Sequence, residues 1–558
     1  MNGLSIKEVF KLLFFLYFIF GIHLTFDYTD GTGLYLPFNA NTWIFISISI
    51  GIGVGNIHLK RKIRLTQFSL YLTLGISLLF IPLMYGKSIP AEFLYIRFIG
   101  VASIPILYIS FQQLRLKRND FYHLFFLIIC SALIKSVAEL GTQFFSDLIL
   151  PTKVNNYIFN TLNHRNVQST FLIYGIVLSF FLISKRKEEI HFSSPKALIF
   201  YITSFFCSIS LILLQSKTAI IALPISIFLI LITIRSIQTN LIILILATVV
   251  GLGTGQYLKE NYSNNTRFVK RSSISNDNSF SVRKGLYKLS FDLFFEKPFL
   301  GHGYGTFHTV FLNKHAKSRS ESSNDVNLGT KNVLHPHNEF LFWLVEGGLI
   351  TFIGFSVIIY FYIILSIRQK LKVTLPILGI IFPLYFHTQV EYPFYNSATH
   401  LFLFCFFVFF SDHELGKSRS FNNPFSYLPK YLSFTIPVLS IIFLLTVYQA
   451  GYWITRYEKT GNLKFLQNVF NKNALRLKYD NYILKAYFEK AKREGNNRML
   501  KRYTQRAEEI LNYSPYIFLY YDIASAYQSL GNMKKAWEFY DRGKYLYPDA
   551  NWQDEKNN

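Results

Sequence analysis

Thirteen apolar runs of 15–23 residues occupy 9–26, 40–57, 68–85, 91–111, 121–140, 169–184, 197–215, 218–234, 241–257, 345–367, 373–388, 397–411 and 432–453. A helix needs about 17–25 such residues to cross a bilayer, and hydrocarbon admits only segments that pair their backbone amides internally. The expected fold is an all-α polytopic membrane protein of about 13 transmembrane helices. Composition agrees: 51% of residues are hydrophobic, 16% are charged, and there are 58 Phe and 37 Tyr. That mixture excludes a disordered, collagenous or disulfide-stapled chain and leaves too little polar surface for a soluble enzyme of 558 residues. The first run is too long and Phe-rich for a cleaved signal, no A-x-A site follows it, and it reads as a retained anchor.

A net charge of +25 often points to nucleic acid. Here the cations sit in short clusters between apolar runs, so topology explains them and no nucleic-acid partner is expected. Lys60, Arg61, Lys62 and Arg64 follow the second run, and Arg115, Lys117 and Arg118 the fourth. Lys185, Arg186 and Lys187 follow the sixth, Arg368, Lys370 and Lys372 the tenth, and Lys417 and Arg419 the twelfth. Every cluster follows an even-numbered run, so the positive-inside rule places these loops and the N-terminus in the cytoplasm. Runs seven and eight are parted only by the turn at Ser216-Lys217-Thr218, and merging them breaks the alternation downstream. The chain then divides into spans one to nine over 1–257, a large extracytoplasmic loop at 258–344, spans ten to thirteen over 345–453, and an extracytoplasmic tail at 454–558. Cys130, Cys207 and Cys405 lie inside apolar runs without CxxC spacing and read as packing residues.

The tail is polar and helix-forming. Tyr527, Gly531, Ala536, Tyr540 and Pro548 fit a tetratricopeptide-like period, with Pro515 one near-repeat earlier. A plain helical bundle is the alternative. Repeats of this kind offer a protein-binding groove.

In a bilayer, chemistry rests on the few polar groups at span ends. Four groups stand on the extracytoplasmic side. The first is His335-Pro336-His337-Asn338-Glu339, running into Glu346-Gly347-Gly348 where the long loop re-enters the membrane. No third ligand stands at a useful spacing from the two His, so no metal is expected. An imidazole titrating near neutrality suits accepting a proton from a hydroxyl, while a helix N-cap by Asn338 with incidental His is the plainer reading. The second is Arg283, followed by Pro298-Phe299-Leu300-Gly301-His302-Gly303-Tyr304-Gly305. Glycines so spaced let backbone amides approach an anion, or make a sharp turn; no strand precedes them, which excludes a dinucleotide fingerprint. The third is Lys217, which faces a polar cavity or snorkels. The fourth is Asn163-His164-Arg165-Asn166, otherwise an ordinary polar loop. Lys and Arg outnumber acids in the 258–344 loop. Positive charge beside a His suits an anionic substrate such as a lipid pyrophosphate, which Arg binds as a fork and Lys as a point charge.

The Arg-(x14)-Pro-x-x-Gly-x-Gly-x-Gly pattern at 283–305 and the His-x-His-Asn-x-x-Leu…Glu-Gly-Gly run at 335–348 resemble the bacterial O-antigen ligase superfamily. That superfamily includes O-antigen ligases, O-antigen polymerases and the O-linked protein oligosaccharyltransferases that glycosylate pilins. The resemblance covers about residues 1–450 in topology and is specific at 160–166, 215–218 and 283–348. Asn163-His164-Arg165-Asn166 resembles the family's Asn/Gln-rich element, and Ser216-Lys217-Thr218 its Ser-Arg-Thr/Gly element, with Lys in place of the usual Arg. The tail is similar to that of the pilin-glycosylating branch.

The resemblance implies a GT-C-like membrane glycosyltransferase that uses no metal, cofactor or nucleotide sugar. It would transfer an oligosaccharide en bloc from undecaprenyl pyrophosphate to a hydroxyl on the periplasmic face of the bacterial inner membrane. It implies Arg283, Lys217 and Arg165 on the pyrophosphate and His337, with His335 as rival, on the acceptor hydroxyl. Asn338 and Glu339 would orient the imidazole, and Gly301, Gly303 and Gly305 would support the site. The expected partners are the lipid-linked donor, the bilayer and an acceptor. A Ser or Thr of an exported protein is the first acceptor, ahead of a lipid A-core sugar (ligase) or a growing glycan (polymerase). A flippase or transporter of lipid-linked glycans is the alternative of a different class; transporters hold their polar groups near mid-membrane and often repeat internally, whereas here the groups crowd one surface.

Overall fold

Each apolar run becomes a helix, ended by the Pro, Gly or charged residues that bound it. The computed structural model describes residues 5–24, 28, 31–85, 88–144, 164–185, 191–234, 238–262, 279–321, 333–425 and 427–552. The first helices are α1 (Ile6–Ile19), α2 (Pro37–Lys60), α3 (Gln67–Leu78), α4 (Ala91–Gln113) and α5 (Arg118–Phe144). Next come α6 (Arg165–Lys185), α7 (Pro195–Leu214), α8 (Lys217–Leu231), α9 (Thr239–Tyr262), α10 (Ser279–Glu296) and α11 (Phe307–Glu321). The remaining helices of more than four residues are α12 (Glu339–Ile367), α13 (Leu371–Val390), α14 (Ala398–Leu415), α15 (Leu428–Thr460), α16 (Arg476–Arg493), α17 (Asn497–Leu511), α18 (Ile517–Ser529) and α19 (Met533–Leu546).

Among the described residues, 11 helices are long and apolar enough to cross a membrane, α3 being counted with the turns that extend it to Tyr85. The other two expected spans are helical but short, with 14 residues in α1 and 15 in α8. At about 1.5 Å per residue each falls short of a ~30 Å hydrocarbon core. Gly21 opens a separate 3₁₀ turn just beyond α1. Gln215, in the left-handed region at φ 51°, ends α7, and Ser216 caps α8, so runs seven and eight are two helices.

A pair of strands is the departure from an all-helical reading. β1 (Lys62–Thr66) pairs antiparallel with β2 (Ser418–Asn422), Lys62 opposite Asn422 and Thr66 opposite Ser418. Short charged segments beside spans read as loops in sequence, because a strand pair needs a distant partner that local pattern does not reveal.

The fold divides into two units. The first comprises Met1–Leu74, Ala102–Ser275 and Val357–Thr455. Its axis is α6, buried from Asn166 to Ile183 and packed against α5, α7, α8 and α13. A Cβ on Gly175 would lie 2.9 Å from the side chains of Ala132 and Thr203 and 3.0 Å from Cys207 Sγ, so glycine there lets neighbouring helices close on α6. Cys207 and Cys405 are buried free thiols. Phenylalanines fill the space beside it: Phe14 stacks on Phe18 at 4.3 Å and leans on Phe406 at 5.5 Å.

At one end of this unit the basic loops meet. Besides β1–β2, Arg118 pairs with Glu414 at 2.6 Å, Lys185 donates to the Lys372 carbonyl at 3.3 Å, and Gln369 donates to the Leu415 carbonyl at 2.9 Å. Loops following the second, fourth, sixth, tenth and twelfth runs therefore share one end, as an even parity requires.

The second unit comprises Gly75–Val101, Asn276–Ser356 and Arg456–Asn558. Its tail portion is two successive helical hairpins, α16–α17 and α18–α19. Both turn on Gly-Asn: Gly495 and Gly531 sit at φ 59° and 74°, and Asn496 and Asn532 accept from the amides of Met499 (3.1 Å) and Lys535 (3.2 Å). Tyr547 donates to the Pro515 carbonyl at 2.6 Å, tying the end of the second hairpin back to its beginning. The loop helix α11 belongs to the same core: Leu312 and Ala316 are buried with Phe488, Tyr503, Ile523 and Tyr540. Arg319 adds a 2.6 Å bond to the Tyr545 carbonyl.

Candidate functional site

In the second unit, the glycine-rich turn and the Glu-Gly-Gly run lock together. Helix α12 is broken at Gly348, whose φ/ψ of 66°/−154° lies in a region only glycine occupies at ease. The break frees the Leu349 amide to donate to the Pro298 carbonyl at 2.7 Å. Gly301 passes so close that a Cβ there would sit 2.3 Å from the Glu346 carbonyl oxygen. The His302 and Gly303 amides donate to the carbonyls of Val345 and Glu346, both at 2.9 Å. Tyr304 N reaches Ser88 Oγ at 3.1 Å, and Gly305 N reaches Glu346 Oε1 at 2.9 Å. Amides that sequence left open to an anion or to a turn thus point at protein oxygens.

The carboxylate of Glu346 is the centre of this lock, with 0% of its side chain exposed. A buried carboxylate costs several kcal/mol unless its lone pairs are matched. Oε1 accepts the amides of Gly305 (2.9 Å) and Phe307 (3.3 Å), and Oε2 meets Arg97 Nη1 at 2.5 Å. The Arg97 guanidinium stacks within 4.1 Å of the Trp343 ring centroid, 4.8 Å of Phe342 and 5.2 Å of Tyr304. Sequence reading passed over Arg97; the available signal was a lone cation inside an apolar run.

Immediately before α12, His337 adopts the left-handed conformation at φ 55°. His335 Nδ1 accepts the His337 amide at 3.1 Å, and the two rings stand 4.3 Å apart at 63°. Asn338 is an N-cap, its Oδ1 accepting the Leu341 amide at 2.9 Å. Glu339 follows in the first turn, buried, where the helix dipole favours negative charge. From α10, Tyr287 donates to the His337 carbonyl at 3.1 Å. Arg283 lies one turn earlier on α10, half-buried, on the face that carries Tyr287. His335, His337, Arg283, Asn338 and Glu339 are therefore one neighbourhood. The glycine turn also holds His302, whose Nε2 bonds the Leu293 carbonyl at 2.8 Å and whose pKa burial lowers.

The first unit gathers the other two groups. Asn163 lies outside the described residues, but Asn166 does not: its Oδ1 accepts Ser216 Oγ–H at 2.8 Å, and its Nδ2 donates to Glu391 Oε1 at 3.2 Å. Arg165 and Lys217 flank this bonded pair in sequence and open α6 and α8, so the two helix N-termini meet there. Glu391, buried beyond the end of α13, was missed in sequence. A carboxylate between two apolar runs, two residues before Pro393, was the signal. Deeper in, Thr170 Oγ1 and His387 Nδ1 share a 2.9 Å hydrogen bond. Among the described residues no three His, Cys, Asp or Glu side chains are grouped as a metal site.

Comparison with protein families finds two matches. Residues 202–356 match the family model described as O-Antigen ligase, and residues 376–558 match the one described as virulence factor membrane-bound polymerase, C-terminal. The first takes in the Ser216–Lys217 turn, α10, the glycine lock and His337; the second takes in Glu391 and the tail. No curated protein matches the chain.

Proposed function

We propose, from the premise that this chain belongs to the O-antigen ligase superfamily, that it transfers an oligosaccharide en bloc from undecaprenyl pyrophosphate to a hydroxyl acceptor. It would do so from the inner membrane, with its site and tail facing the periplasm. The observation that supports the reading is the Tyr287 bond to the His337 carbonyl at 3.1 Å, which joins the segment of the imidazole to the helix that carries Arg283. Arg283 holds the departing pyrophosphate, whose charge must be neutralised; for Arg165 and Lys217 a pyrophosphate role rests on the resemblance of their motifs alone. His337 takes the proton of the acceptor hydroxyl. His335 is the less apt base, because its Nδ1 already accepts the His337 amide.

The acceptor we favour is a Ser or Thr of an exported protein. The two helical hairpins of the tail, of tetratricopeptide-like period, support it as a docking surface. A second reading, polymerisation onto a growing glycan, draws on the description of the match at 376–558. The experiment incubates purified full-length protein with lipid-linked glycan and supplies, in separate reactions, an exported Ser/Thr-rich protein, lipid A-core and a second lipid-linked glycan. Transfer to the protein alone is the expected result. Transfer only between lipid-linked glycans replaces it with the polymerase reading, and movement of the donor across vesicles without transfer replaces both with transport.

A further inference from the structure

We infer that Arg97 is a positioning residue for the transfer proposed above, acting through Glu346 on the segment that carries His337. Arg97 comes from α4, far in sequence from the motifs, yet it touches both pieces that form the lock. Tyr304 belongs to the glycine turn, and Phe342 and Trp343 belong to the first turns of α12; all three rings face the guanidinium at 4.1–5.2 Å. Its Nη1 meets Glu346 Oε2 at 2.5 Å, while Glu346 Oε1 holds Gly305 N and Phe307 N. One cation thus sets the spacing between the turn and the helix.

That spacing matters at the other end of the helix segment. Residues 339–347 run without interruption from the Asn338 cap to the break at Gly348. A segment this short moves as a rod, so a shift at Glu346 is carried to Asn338 and the left-handed His337 before it. A planar fork that stacks on aromatic faces is a task for Arg and not for Lys.

The alternative is that the pair only stabilises the fold, and a double variant separates the two. Full-length protein in detergent is assayed for melting temperature, lipid-linked glycan binding, and kcat and KM for transfer. Arg97→Met leaves a buried carboxylate uncompensated and lowers both Tm and kcat. Arg97→Met/Glu346→Gln removes both charges: Tm recovers, donor Kd stays at the wild-type value, and kcat remains about 100-fold low, the scale of a misplacement near 1 Å. Arg97→Lys keeps Tm and still loses kcat. Wild-type kcat in the double variant or in Arg97→Lys overturns the inference. If the wild-type protein transfers from no lipid-linked donor, the functional reading fails by itself, and amide hydrogen exchange then decides the positioning. Faster exchange over 334–342 in Arg97→Lys supports it, and wild-type exchange there overturns it.

Discussion

Tyr287, one helical turn beyond Arg283 on α10, donates its hydroxyl hydrogen to the backbone carbonyl of His337 at 3.1 Å, which ties the candidate base to the helix that carries Arg283. Two roles meet at this bond and can be separated. His337→Ala should cut transfer by roughly 10²–10⁴-fold, the usual contribution of a positioned acid or base, with donor binding kept. Arg283→Ala should weaken donor binding, and Arg283→Lys should restore part of it, since an ammonium cannot reproduce the fork. Binding and transfer measured on the same preparations check this; the reverse pattern removes the assignment. Tyr287→Phe should cost about 1 kcal/mol, one net hydrogen bond, seen as a few-fold loss of kcat.

Gly348→Ala forces a Cβ to within 2.6 Å of Phe299 O and Gly301 N, in a conformation at φ 66°. Such strain costs on the order of 1–3 kcal/mol, to which the collision adds, so the variant should melt several degrees lower. Gly253→Ala is the control: nothing lies within 4 Å of its Cβ, and Ala in a helix is favoured over Gly by about 1 kcal/mol. A thermal melt of both variants decides; equal melting temperatures would mean that the lock at 298–305 and 345–349 is not formed.

His308 reports on the seat of α11 against the tail. It is buried, its ring lies 5.5 Å from Tyr516, and burial pushes its pKa down to about 4. An unfolded His titrates near 6.5, so between those values the unfolded state binds more protons. Stability supplied by the neutral ring is complete above about pH 6.5 and is lost as pH falls toward 4, by up to roughly 3 kcal/mol. Limited proteolysis between α11 and α12 should accelerate across that window, and His308→Phe should flatten the response.

Deletion of 454–558 should leave donor binding measurable and abolish transfer to a protein acceptor. It should also uncover Leu312 and Ala316 on α11, so protease sensitivity near residue 316 rises with it. Full-rate transfer to protein by the truncated enzyme would remove the tail from acceptor handling.

Reporter fusions after residues 320 and 500 should report the same side of the membrane, and a fusion near residue 187 the opposite one. The meeting of the basic loops at one end of the first unit supports this parity. Opposite results for 320 and 500 would mean that a span between them is miscounted.

Sequence was most legible where the deciding interaction is local. Run length marked the helices, Asn338 announced its cap, and the Ser216 turn parted α7 from α8. What stayed hidden depends on partners far along the chain. Arg97 looks like one cation in an apolar run until Glu346 appears opposite it. Glu391 acquires meaning only beside Asn166, and nothing in the polar stretch 307–321 says that its Leu312 and Ala316 complete the core of a tail more than a hundred residues later. The motif glycines were visible, but whether their amides faced an anion or Glu346 was a question of tertiary packing.

The strand pair places a clock on biosynthesis. Thr66 must wait for Ser418, and at about 5–20 residues per second the ribosome needs roughly 20–70 s to make the chain between them. Throughout that interval β1 is an open edge beside a half-built bundle. Lys62 and Arg64 on that strand are the kind of charge that keeps an open edge from pairing with a neighbouring nascent chain. The last spans to leave the insertion machinery therefore close a seam that the second one opened.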